Sequence, residues 1–115
     1  MKDDQFNNLS GYRAVWLFAM FDLPVATKKD RRNYTRFRKA LIREGFMMLQ
    51  FSVYARYCRS EETALWFKAR VEGDLPPKGQ VRLLSVTDRQ FGKMEVFFGK
   101  ETTPVEEPPH QYELF

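Results

Sequence analysis

The chain has 115 residues, a formal net charge of +4, 18 aromatic residues, one Cys and one His. That length allows one domain and hardly more, and no apolar run approaches the roughly 18 residues of a membrane span. Cys58 and His110 cannot between them build a zinc site, a disulfide or, with His110 in a Pro-rich end, a Cys-His or Ser-His-Asp centre, and no GxGxxG or P-loop pattern occurs.

In chain order, residues 13–22 hold the continuous apolar run AVWLFAMF, which predicts a central strand buried on both faces. Leu23-Pro24 stops it. Residues 27–44 predict a helix, with Tyr34, Phe37 and Leu41 on one face and Thr27-x-x-Asp30 resembling a capping box. Residues 46–50 and 51–58 predict two strands joined tightly. In the second, Phe51, Val53, Ala55 and Tyr57 alternate with Ser52, Tyr54, Arg56 and Cys58. Ser60 caps a second helix with Glu61 and Glu62 in its first turn and Ala64, Phe67 and Val71 as its apolar stripe. Gly73 and Pro76-Pro77 end it. Residues 80–87 predict a fourth strand and residues 94–98 a short fifth. The order β-α-β-β-α-β is the ferredoxin-like α+β pattern, an antiparallel sheet with two helices on one face. A strand left over after that unit needs an open edge, and a second copy of the chain can supply it, so a homodimer is expected. The domain reading is a flexible N-terminus over 1–11, the ferredoxin-like domain over 12–99 and an acidic, Pro-rich tail over 100–115. The polar start predicts no signal peptide, and a lone Cys predicts a reducing cytoplasm.

The net charge conceals a division. Residues 13–93 carry +9, the first twelve −1 and residues 94–115 −4. Eight cations lie between positions 28 and 43, against Asp30 alone. Lys28, Lys29, Arg32, Arg36, Lys39 and Arg43 share the face opposite Phe37 and Leu41. Like charges three or four apart on a helix cost about 0.2–0.5 kcal/mol a pair, on the order of 1–2 kcal/mol in all after screening. A phosphate backbone beside the helix turns that cost into binding energy. A charged run is usually only a solvated face; the one-sidedness here favours polyanion binding. The aromatic residues mostly follow core periods, and Trp16, Phe18, Phe37 and Phe67 read as packing.

Asp22 closes the apolar run. It is either a turn former before Leu23-Pro24 or a functional carboxylate at a strand end. One carboxylate makes a poor Mg²⁺ site, but a symmetric dimer would bring two copies together.

WLFAMFDLP at 16–24, the basic helix KKDRRNYTRFRKALIREGF, LQFSVYARYC, and TDRQFG near the end resemble, in order and spacing, the CRISPR-associated protein 2 family. The wording FDLP and LQFSVY is closest to members from type II systems. The resemblance covers about residues 12–99 and implies a ferredoxin-like homodimer of the spacer-acquisition machinery. It implies a metal-dependent endonuclease in which Asp22 is both catalytic residue and ligand of Mg²⁺ (Mn²⁺ as its substitute), paired with its symmetry mate. It implies that residues 94–98 exchange onto the partner, that dimers of the CRISPR spacer integrase flank the protein, and that double-stranded DNA crosses its basic surface. An adaptor that only bridges integrase sites is the competing mechanism, and the sparse acidic equipment favours it. Two readings outside this role are a toxin-like nuclease acting on single-stranded RNA and an RRM-type RNA-binding domain, the latter weakened by the missing glycine pattern on the third strand.

The chain ends QYELF. Gln111, Leu114 and Phe115 resemble the peptide by which bacterial proteins grip the replication sliding clamp, and the tail is also suited to docking on the integrase. The plainer expectation is a disordered end.

Overall fold

In the computed structural model, which describes residues 13–100, the apolar run becomes β1, Val15–Asp22. The remaining strands are β2, Met47–Gln50, β3, Val53–Cys58, and β4, Gln80–Thr87. They form one antiparallel sheet in the order β2-β3-β1-β4. Two strands flank β1, and its apolar residues supply the centre of the sheet. Val15, Leu17, Ala19 and Phe21 are buried, whereas Trp16, Phe18 and Met20 are only partly so. The expectation of burial on both faces therefore fails for one of them, because both long helices lie on the same side.

Those helices are α1, Lys28–Arg43, and α2, Glu61–Glu72. The predicted capping box of α1 forms: the Asp30 backbone N–H donates to Thr27 Oγ1 at 2.9 Å and the Thr27 N–H to Asp30 Oδ2 at 3.2 Å. Ser60 caps α2 by accepting from the Thr63 N–H at 3.1 Å. Tyr34, Phe37 and Leu41 of α1 and Ala64, Phe67 and Val71 of α2 meet the inner face of β1 in a single core. Both apolar stripes are those expected from their spacing, since only residues three or four apart share a helix face. Together these elements give the ferredoxin-like α+β order.

Two local readings are corrected. β3 starts at Val53 because Phe51 and Ser52 form the turn, with Ser52 at φ 63°. Tyr54 and Cys58 of β3 join the core, while Phe51 and Tyr57 are exposed, so the set that looked polar faces the helices. Tyr54 tolerates this because its ring packs on Phe21 and its hydroxyl meets Arg38. Residues 94–98 form no strand within the chain. A strand requires a hydrogen-bonded neighbour, and a helix not foreseen, α3 at Asp88–Gly92, turns the chain away from β4 first. The capping box of α3 pairs Thr87 with Gln90. It docks on the open sheet face, where Phe91 stacks on Trp16 at 4.0 Å and Asp88 Oδ1 accepts from Trp16 Nε1 at 2.8 Å.

Candidate nucleic-acid interface and carboxylate site

All six predicted cations of α1 are exposed. Lys28, Arg32, Arg36, Lys39 and Arg43 share one open, solvent-facing stripe of the helix with Arg31 and Thr35. Lys29 is outside it. At about 100° per residue it sits on the flank of the stripe, while Arg31 closes the opposite side. Arg31 Nη1 donates to the carbonyls of Val25 and Ala26, which fixes its stem at the helix entrance. Arg43 makes a loose, exposed contact of 3.8 Å with Asp74; among the described residues the other cations of the stripe have no ion pair. The stripe keeps nearly all of its charge for a ligand.

The remaining arginines divide by environment. Arg56 points inward. Its Nε donates to the Glu44 carbonyl at 2.7 Å, and its guanidinium lies 3.7 Å from the centre of the Phe67 ring. It ties the end of α1 to β3 and α2. Beside it, Arg70 grips the Glu44 carboxylate through two 2.7 Å hydrogen bonds. Those bonds hold the Glu44 carboxyl below its ordinary value, with the charges of Arg70, Arg43 and Arg56 adding to them against partial desolvation. Burial pushes the Tyr54 hydroxyl and the Cys58 thiol up, so Cys58 is an inert core residue.

Asp22 lies at the end of β1, exposed, on the open face with Trp16, Phe18 and Met20. Its position is set by its neighbours. The Phe21 N–H donates to the Ser52 carbonyl at 3.1 Å, Leu23 is buried behind, and Gln80 of β4 stands directly opposite. No group of three His, Cys, Asp or Glu residues able to hold a metal occurs among the described residues. Among the described residues Asp22 therefore belongs to no donor set large enough to hold an ion by itself. Its carboxylate fits a Mg²⁺ that keeps its waters and takes further oxygens from a second carboxylate and substrate phosphates, and it does not fit an ion caged by the described residues alone.

The open face also carries an apolar hollow of about 520 Å³ between Phe18, Met20, Leu49, Val53, Phe91, Met94 and Val96. Sequence periodicity had assigned Phe18 to packing. It does line an apolar surface, and no described residue covers that surface. Gln111, Leu114 and Phe115 lie outside the described residues. Among the described residues no helix is long and apolar enough to cross a membrane.

A ferredoxin-like α+β domain with a cationic helix on one side and a single strand-end carboxylate on the other defines the structural class. The family model for CRISPR associated protein Cas2 matches residues 15–94, and the chain belongs to the Cas2 family. It is 42% identical over 115 residues, the whole of both chains, to a protein of Flavobacterium psychrophilum. It is 46% identical over 101 residues to one of Parvibaculum lavamentivorans, covering 88% of this chain and all of that one. A Lacticaseibacillus rhamnosus relative is 52% identical over 85 residues, 74% of this chain and 84% of its own. Each of the three is named CRISPR-associated endoribonuclease Cas2.

Proposed function

We propose that this protein serves CRISPR spacer acquisition as a homodimer that binds duplex DNA along α1 and bridges dimers of the spacer integrase. The observation that carries this reading is the stripe of exposed cations on α1, of which Arg43 alone meets an acid among the described residues. Side chains that repel one another on a free helix are stabilised once phosphates stand between them. The homodimer rests on the open sheet face. Leu84, Met94, Val96, Phe97 and Phe98 are all exposed there or beside it, and a large apolar patch of this kind marks an interface. Residues 94–98, apolar but for Glu95 and without a strand partner among the described residues, are suited to extend the sheet of the second copy. The Arg32→Glu, Arg36→Glu double variant tests the reading. Its duplex affinity should fall, and the slope of log affinity against log salt should shrink by about 2. A slope equal to that of the unaltered protein removes α1 from the interface.

A second reading, Mg²⁺-dependent cleavage of RNA, is favoured by the exposed Asp22 and by the names of the relatives. Asp22 and its copy in the partner would hold the ion, with Mn²⁺ able to replace it. Such an ion activates water and steadies charge on a scissile phosphodiester. Asp22 would orient the ion's waters. The basic stripe would hold the strand. Asp22→Ala should abolish Mg²⁺-dependent cleavage and leave integration intact if bridging is the physiological role. Unchanged cleavage refutes the catalytic reading, and lost integration with intact DNA binding refutes the pure bridge.

A further inference from the structure

Asp22 has two polar neighbours whose place could not be read before the strands were paired. In the β1–β4 ribbon Asp22 stands opposite Gln80, and Met20 opposite Arg82. Residues directly opposite in an antiparallel pair share a face. Asp22, Gln80 and Arg82 therefore crowd one end of the open face, all exposed. Arg82 Nη1 donates to Gln80 Oε1 at 2.9 Å, which draws the guanidinium towards the end of the ribbon that carries Asp22. Arg82 makes no ion pair among the described residues, with Asp22 or any other acid. One donor is engaged by the amide. The rest of the fork is left for a ligand, and its geometry fits two oxygens of a phosphate.

We infer that Arg82, tethered by Gln80, is the phosphate-holding group of the Asp22 site. It takes one phosphodiester of a nucleic-acid strand on the open sheet face, on the side of the sheet away from α1. Gln80 is a positioning residue, acting through Arg82. The inference rests on Asp22 being a working carboxylate. A plainer role for Arg82 is to keep an edge strand from pairing with other chains, which any charged residue would serve. The two roles differ in what a ligand feels.

The experiment is fluorescence anisotropy with a labelled single-stranded RNA and, in parallel, a labelled DNA duplex, in EDTA. The background is Arg32→Glu, Arg36→Glu, so that α1 does not mask a second site. Arg82→Gln should weaken metal-free binding about tenfold, as loss of a charge-assisted bidentate contact does. Arg82→Lys should recover only part of the loss, and Gln80→Ala should lie between. Whichever probe loses more affinity identifies the strand that enters. Asp22→Asn should bind more tightly in EDTA, because a negative charge beside the phosphate is gone. Equal affinity of Arg82→Gln and its parent overturns the inference, and so does full recovery by Arg82→Lys together with no effect of Gln80→Ala. Unchanged cleavage by Asp22→Asn in Mg²⁺ refutes the underlying reading of Asp22 instead, and the anisotropy result is read independently of it.

Discussion

Gly79 sits where β4 begins, at φ 97°, and a Cβ there would stand 2.7 Å from the Asp22 carbonyl oxygen and 2.7 Å from Leu23 Cδ2. Left-handed backbone alone costs a residue with a side chain about 1–2 kcal/mol, and this contact adds to it. Gly79→Ala should lower the unfolding free energy measured by urea titration by at least that much. Glu44 offers a pH test. Its carboxyl is held below its ordinary value of 4.5, chiefly by the Arg70 hydrogen bonds. A lowered acid stabilises the fold above its unfolded-state pKa, and that contribution is lost as pH falls through the folded value. Glu44→Gln should therefore flatten the acid side of the stability profile below about pH 4.5 and reduce the melting temperature at neutral pH, as thermal unfolding followed across pH would show. Asp22 stood out in the sequence as the carboxylate closing the apolar run, and its role as a metal ligand is what the family resemblance implies. Its neighbours Gln80 and Arg82 did not stand out, since a slip of one residue in strand register would have sent both to the opposite face.

α1 holds charge at the expense of its own stability. Lys28 occupies its first turn, where the helix dipole disfavours a cation and Arg32 lies one turn on. Lys28→Glu should stabilise the protein by about 0.5–1 kcal/mol and weaken duplex binding at once. A thermal melt beside a binding isotherm measures both, and a variant that gains in both would mean that Lys28 does not meet phosphate. The helix stripes were readable because 3.6-residue periodicity survives any tertiary context. β3 was not, because Tyr54 and Cys58 hide polar atoms inside while Phe51 and Tyr57 leave apolar ones outside, which inverts the usual alternation. α3 escaped for another reason. Five residues are too few for a period, although the Thr87-x-x-Gln90 box was in view. Thr87→Ala should loosen α3 by about 1 kcal/mol, seen as a change in near-ultraviolet circular dichroism once Phe91 leaves Trp16.

The whole molecule has two unlike sides. Helices cover one face of the sheet and carry its cations, and the other face is apolar with carboxylate, amide and guanidinium at one end. The second copy expected for the apolar face would cover it around Phe18 and Leu84. Leu84→Asp, a charge set in the middle of that face opposite Phe18, should shift the protein to monomer in light scattering without unfolding it. A dimer of unchanged strength would place the interface elsewhere. A second chain was expected from a strand left over in the order of elements. The exposed apolar surface adds the sheet face itself to that argument, beside residues 94–98.

The two tryptophans fall on these two sides. Trp16 lies on the open face, stacked on Phe91 with its indole N–H held by Asp88. Trp66 lies on α2, 56% exposed, with the Arg70 guanidinium 4.9 Å from its ring centre. The chain thus carries an optical reporter on each side, and a conservative Trp66→Phe exchange isolates the one at the sheet. Its emission would then register assembly or ligand arrival on that side alone, with no dye attached and no change to the cationic helix.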